Sequence, residues 1–432
     1  MLRYIGLPHK ILRAYSALAG KSAIVYPAAF LVALGLGQVG LGLIFYLREV
    51  FSSPATVIGW LAATWSLAYI VGCLLVRPAF DTVPPPYLIV VANFLMTGFT
   101  LGMQFVPSIS WIFALHGLYG MAVSHFWPPL MGWLSSEVEG EALNRACARF
   151  NLSWCLGGII SPYLAGWLSE MNVRLPLLGG SALFLLTAVY VAGTALVKPK
   201  TGGVSTCRAA GGQQNAALAP DRSTLLRYPA WVGLFATYFA MGVIASIFPV
   251  IGQDDLLLSR SSIGLLLLVR SLVNAVAFLA LGRLVFWHFR VLPMLMGQLM
   301  AVCGFVLLAH VHEPVLVGVL LGIFGITLAM SYSSSLFHGA SGSRNRPARM
   351  AVHESVLAAG LVAGAGVGGM VYHAHGAARL FYLCALVVLV ALLAQGVLCV
   401  WARRCEERQC EETPHMGVVR AHADVAGARP ES

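Results

Sequence analysis

Arg270 and Asn274 stand four residues apart in SSIGLLLLVRSLVNAVAFLALG, residues 261–282, a run otherwise apolar enough for lipid. Four residues make about one helical turn, so the two side chains share a face, with Ser271 beside them. A guanidinium about 12 Å of helix rise from the end of its span is too deep to reach water by snorkelling alone. Its insertion costs about 2.5–3.5 kcal/mol, so it marks either a ligand contact or a structural bond to helix-end carbonyls or a neighbouring carboxylate. As a ligand contact it selects anions, because its planar fork matches carboxylate and phosphate.

Other polar groups fall inside apolar runs. His116 and Tyr119 are one turn apart, and Asn151 with Trp154 and Tyr332 are further cavity candidates. His353 and Glu354 open another run; either a titratable pair changes partner during a cycle, or the acid is stabilised by a helix N-terminus. Gln38 lies in LGLGQVGLG, where glycines permit close helix approach or loosen a helix beside a site. The run from Gly360 through Gly364 to Gly368 is a small-residue packing surface.

The elements that must hold these groups are membrane helices. Of 432 residues, 59% are hydrophobic and 10% charged, against about 25% charged in soluble domains. Mean hydropathy is +0.81. The solvent for most of this chain is the lipid bilayer. Twelve runs reach the roughly 20 residues a spanning helix needs: 23–47, 55–76, 87–106, 109–132, 147–169, 176–197, 229–251, 261–282, 291–311, 314–337, 350–373 and 378–401. The expected fold is all-α, with two pseudo-symmetric six-helix bundles, 23–197 and 229–401, around a central cavity. Segments 1–22, 198–228 and 402–432 are then an N-terminal segment, a linker and a tail, all cytoplasmic. Of the 27 Lys and Arg, only Arg48, Arg174, Arg260, Arg379 and Arg270 fall elsewhere than the side holding both termini. That bias sets the termini inside and explains the +10 net charge without nucleic acid.

The halves look like copies. With a shift of 205, IGWLAATWSLAY (58–69) lies over IGLLLLVRSLVN (263–274); with a shift of 202, Ala146, Ser153, Gly158 and Gly166 fall on Ala348, Ser355, Gly360 and Gly368. Repeated membrane halves around a midplane site are a transporter architecture. Here the sequence resembles the major facilitator superfamily. RPAFD (77–81) resembles the opening of that family's G-x-L-x-D-R-x-G-R-R loop through Asp81, without the leading glycine, and GRLVFWHFR (282–290) supplies the second copy with Arg283. GGIISPYLAG (157–166) resembles the antiporter motif G-x-x-x-G-P-x-x-G-G through Gly157, Pro162 and Gly166. LHGLYGMAV (115–123) resembles a span-four motif in which His116 takes the place of an arginine.

The resemblance implies a secondary transporter working by rocker-switch alternating access, a monomer with a small-molecule substrate and a coupling proton or other ion. Asp81, Arg283, His353 and Glu354 would then serve coupling or gating. Two substrate readings stand: a small organic anion centred on Arg270, or proton-coupled efflux of drugs or metabolites. A non-transporting sensor or scaffold is the alternative of another class. An enzyme is not expected, since HExxH, GxSxG and phosphate-cradling loops are missing. No cofactor or metal is expected either: the tail spacing C-x4-C-x4-H-x6-H from Cys405 to His422 is not that of a zinc site.

Overall fold

A computed structural model describes residues 9–76, 82–135, 140–197, 224–341 and 346–412. Asp81, most of the expected linker and the tail histidines His415 and His422 lie outside the described residues. The rest is helical: α1 (His9–Phe51), α2 (Ala55–Val76), α3 (Pro85–Gly102), α4 (Ile109–Ser124), α5 (Trp127–Ser135), α6 (Gly140–Met171), α7 (Leu175–Val197), α8 (Arg227–Ser246), α9 (Phe248–Asp254), α10 (Arg260–Arg283), α11 (Val291–Leu308), α12 (Pro314–Ala340) and α13 (Arg346–Glu412).

Among the described residues nine helical segments are each long and apolar enough to cross a membrane. The pair α4 and α5, the more polar α6, and the second limb of α13 bring the layout to twelve spans. Two of them differ in detail from the uninterrupted runs expected. The fourth is divided after Ser124 and the seventh after Ser246. Proline explains both, since Pro128–Pro129 and Pro249 lack an N–H and crowd the carbonyl four residues back. The last two spans follow each other without a loop, and Gly376 at φ 80° and ψ 178° breaks α13 into two helical limbs. That backbone region suits glycine, which carries no Cβ. Prolines also open α3 and α12, where a missing N–H costs nothing. The Ser259 hydroxyl caps α10 by accepting from the Ser262 N–H at 3.2 Å.

Packing sorts the helices into two groups. α1 lies against α6 and α7, α3 against α7, and α2 against α4; in the other group α8 lies against α12 and α13, and α11 against both. Two seams join the groups, α2 with α13 and α6 with α10. Glycines let the backbones meet there. A β-carbon at Gly59 would stand 2.2 Å from the Ala365 carbonyl oxygen, and one at Gly369 2.5 Å from that of Ala55. In the other seam a β-carbon at Gly166 would stand 2.2 Å from the Arg260 carbonyl oxygen, and one at Gly264 2.4 Å from that of Pro162. Both seams lie toward the end where α1 turns into α2, called here the far end. The terminal end is the opposite one.

Candidate functional site

Arg270 projects from the middle of α10 and is 8% exposed. α12 packs directly on this stretch because Gly325 has no side chain: a β-carbon there would stand 2.6 Å from the Arg270 carbonyl oxygen. The guanidinium finds only neutral partners. Nη1 donates to the Met241 sulfur at 3.3 Å and Nη2 to the Ser271 hydroxyl at 2.8 Å, while Nε is buried without a hydrogen-bond partner. Among the described residues no carboxylate pairs with it. Asn274, one turn along, also has a buried and unpartnered Oδ1. A buried cation with neutral neighbours is a poor structural bond, since charge in low dielectric needs a counter-charge.

Around Arg270 stand aromatic walls. Tyr238 of α8 lies within its electrostatic reach, and the Tyr238 and Tyr332 rings are 6.5 Å apart. Tyr332 also meets Phe278 at 5.5 Å and the edge of His353 at 4.8 Å. His353 is fully buried, bonded to the Ser335 hydroxyl at 2.8 Å. Its neighbour Glu354 points the other way and is exposed, within electrostatic reach of Tyr69, Tyr238 and Tyr332. The opposite group supplies Tyr69 and Cys73 from α2, with Tyr69 stacked on Trp65 at 5.7 Å, and Cys155 from α6, which reaches Tyr332. These residues of both groups lie on the terminal side of the seams and are half-exposed. They are the polar and aromatic side chains that both groups bring to the terminal side of the seams, where a two-bundle layout leaves its central cavity.

Behind the tyrosines, the amide nitrogen of Gln298 on α11 shares its two N–H groups among the Gly233 carbonyl, the Thr237 hydroxyl and the Ser331 hydroxyl at 3.1, 3.1 and 3.0 Å. Thr237 and Ser331 are the chain neighbours of Tyr238 and Tyr332, so this buried cross-brace sets the two rings.

The remaining expected residues distribute differently. Asn151 and Trp154 are exposed on α6 and bond to each other at 3.2 Å. Gln38 is 2% exposed and turns toward α7: its Oε1 would stand 2.5 Å from a β-carbon at Gly179. His116 and Tyr119 stack at 5.8 Å inside the first group, Tyr119 against Phe184 at 6.0 Å. The structure does not bring these three to Arg270. Arg283 is exposed at the end of α10. Gly157 seats α6 on α1 near the Phe30 carbonyl, and Gly360, Gly364 and Gly368 seat α13 on α8 near Phe235, Phe239 and Val243. Pro162 lends its carbonyl to the α6–α10 seam.

The far end carries a lattice that the sequence reading did not assemble. Arg48 of α1 pairs with Asp254 of α9, and Arg260 of α10 with Glu49 of α1 at 2.5 Å. Arg260 also donates to the Ser169 carbonyl at 2.6 Å. Glu170 accepts from the Ser261 N–H and hydroxyl at 2.9 and 2.7 Å, and these bonds hold its carboxyl below the usual range. Each bond crosses from one group to the other. The signal was present: Arg48 and Arg260 are two of the four loop cations that break the charge bias. A separate cavity of about 400 Å³ near this lattice, lined by Phe248, Asp255, His312 and Phe381, shares no lining residue with the Arg270 group.

Twelve spans in two groups, tied at one end and parted around a polar cavity, define a membrane transporter fold. The sequence matches the model of the Major Facilitator Superfamily over residues 25–339, and the chain belongs to that family. No curated protein matches the sequence. Among solved structures it is similar to the nucleoside transporter NupG, with 12% identity over 88% of this chain and 98% of that one and a TM-score of 0.69. It is also similar to a bacterial homolog of the human lysosomal transporter Spinster, in an inward-facing and occupied conformation. There the identity is 13% over 91% of this chain and 97% of that one, with a TM-score of 0.67. At such identities the likeness is one of fold.

Proposed function

We propose that this chain moves a small organic solute across the membrane by alternating access, and that the solute presents an anionic group to Arg270. It performs no covalent chemistry. The observation that carries this reading is the buried guanidinium, which among the described residues hydrogen-bonds to Met241 and Ser271 alone. An anion arriving in the cavity supplies the missing counter-charge, in a low-dielectric setting that strengthens the contact. The bundles 23–197 and 229–401 rock about the seams, carrying the 198–228 linker and the 1–22 and 402–432 segments on the cytoplasmic side. Charge bias supports that orientation, in a plasma or bacterial inner membrane, with a monomer as the working unit.

Glu354 favours a second reading, in which a proton is coupled to the solute, because an exposed carboxylate inside a membrane cavity is suited to that task. The test of the main reading is a thermal-shift screen of organic anions on the purified chain and on Arg270→Ala and Arg270→Lys. Anions should raise the melting temperature of the wild type and of neither variant. A response that survives in both variants places the substrate contact elsewhere.

A further inference from the structure

We infer that the solute is a zwitterion whose two charges are held apart by a flat body, with its anionic end on Arg270 and its cationic end on Glu354. This rests on the reading of Arg270 given above and adds the second contact.

Two opposite charges face one cavity without neutralising each other: among the described residues neither Arg270 nor Glu354 forms an ion pair. A charged carboxylate repels an anion, so a cavity built for an anion alone requires Glu354 to carry a proton whenever the solute is bound, which the Glu354→Gln comparison below tests. A cavity built for a cation alone would not hold an arginine at its apex. A solute with both charges satisfies both groups, and each charge excludes a different class of wrong solute.

Tyr238 fixes the relation of the two charges. It lies within electrostatic reach of Arg270 and of Glu354 at once. Tyr332 meets His353, the chain neighbour of Glu354, at 4.8 Å and lies 6.5 Å from Tyr238, which is one turn of α8 from the Met241 that holds Arg270, so aromatic rings stand between the two charges. They are also offset in depth. Arg270 is six residues from the seam contact at Gly264, and Glu354 is eleven from the one at Ala365. At 1.5 Å per residue these are about 9 and 16 Å from their seams, an offset of about 7 Å along the cavity. A single planar ring with charged groups at opposite ends spans about that distance.

The walls between the charges suit such a body. Tyr238 and Tyr332 tilt at 41° on one side, and Tyr69 stacks on Trp65 on the other. Aromatic faces hold flat apolar groups, and their hydroxyls leave polar edges for orientation.

The test uses three probes of matched shape on the full purified chain: 4-(aminomethyl)benzoate, which carries both charges, 4-methylbenzoate, which carries the negative one, and 4-methylbenzylamine, which carries the positive one. Thermal-shift titrations should show the zwitterion half-saturating at a concentration at least about tenfold below either single-charge probe, as one further charge-assisted contact requires. Glu354→Gln should raise the zwitterion's value about tenfold and leave that of 4-methylbenzoate unchanged or lower. Arg270→Gln should remove 4-methylbenzoate binding and bring the zwitterion to the level of the amine.

If 4-methylbenzoate matches the zwitterion on the wild type and Glu354→Gln changes neither, the zwitterion assignment is wrong and the anion reading stands, with Glu354 left to a proton. If binding survives Arg270→Gln unchanged, both readings fall. If none of the three probes stabilises the wild type, the zwitterion assignment fails, and the anion screen alone decides the earlier one. The three-probe comparison on the wild-type chain holds even where a variant does not fold.

Discussion

Gly166→Ala separates a contact that belongs to one conformation from contacts that belong to the fold. In the structure a β-carbon at Gly166 would lie 2.2 Å from the Arg260 carbonyl oxygen and 3.1 Å from the Ser261 Cα, both across the α6–α10 seam. Relief requires the halves to part at the far end by about 1 Å, since overlap at this range is steeply repulsive. Overpacking of this size costs about 1–3 kcal/mol. The cost falls only on the conformation closed at the far end, so the opposite one gains about 5–150-fold in relative population. Alanine also gains about 1 kcal/mol over glycine in a helix interior, which offsets any loss in overall stability. Gly364→Ala is the control: its β-carbon would lie 1.9 Å from the Phe239 carbonyl, inside one half, where rocking cannot relieve it. The assay is labelling of Cys155, kept as the sole cysteine, by an impermeant maleimide added to one face of sealed vesicles. Gly166→Ala should move labelling toward the far face with little change in melting temperature. Gly364→Ala should lower the melting temperature by several degrees and leave the labelled face unchanged. If the two variants behave alike, the Gly166 contact is ordinary packing and the seam is not specific to one state.

Three further outcomes follow from the lattice and the cross-brace. Arg260→Ala removes the Glu49 pair and the Ser169 bond; as a half-exposed contact worth about 0.2–1 kcal/mol, its loss should raise far-face labelling of Cys155 by about 1.4–5-fold. Glu170 has its carboxyl held low by the Ser261 N–H and hydroxyl, with Ser259 and Arg260 also facing it. That contact therefore favours closure above the ordinary carboxylate pKa of about 4.3 and is lost as pH falls through the lowered value. Acidifying the far face alone should open that face, read from the distance between spin labels placed across the α6–α10 seam because maleimide labelling itself fails at acid pH, and Glu170→Gln should flatten that part of the pH profile. Gln298→Leu leaves the Thr237–Ser331 bond without its third partner and the Gly233 carbonyl with the Thr237 hydroxyl as its remaining side-chain donor. A loss of about 1–3 kcal/mol should appear in thermal melts, with anion binding weakened less than in Arg270→Ala.

What could be read without coordinates depended on whether a signal was local. Apolar length and charge bias are local, and they give the twelve spans. The proline breaks are visible too, as FWPP at 126–129 and FPV at 248–250, but an apolar count runs through them because proline and its neighbours remain hydrophobic. Gln38 shows the limit on facing. Its flanks are apolar or glycine on every side, so periodicity cannot tell a face toward lipid from one toward α7 or the cavity. His116 and Tyr119 meet the same limit. The pairing of Glu170 with Ser261, or of Glu49 with Arg260, joins residues far apart in the chain and needs the fold itself. Arg270 could be singled out because its cost in lipid is so large that any position for it is informative.

The energetics of the far end and of the cavity belong together. The ties that close the far end are exposed ion pairs, a serine–carboxylate bond and glycine backbone contacts. Each exposed pair contributes about 0.2–1 kcal/mol, so the closed conformation leads its alternative by a small margin. Moving a two-state balance from 1:99 to 99:1 takes about 5.5 kcal/mol of differential affinity. Two charge-assisted contacts, on Arg270 and Glu354, can supply about 3–6 kcal/mol if they are made fully in one conformation alone. Both residues sit in the same half, on α10 and α13. These two helices are also the ones that form the seams with α6 and α2. A solute held by two residues of one half tells the conformations apart only through what the other half adds to it, the Tyr69 and Trp65 wall of α2. Weak ties at the seams and strong contacts in the cavity are the combination that lets a small solute, rather than a large energy source, decide which end is open.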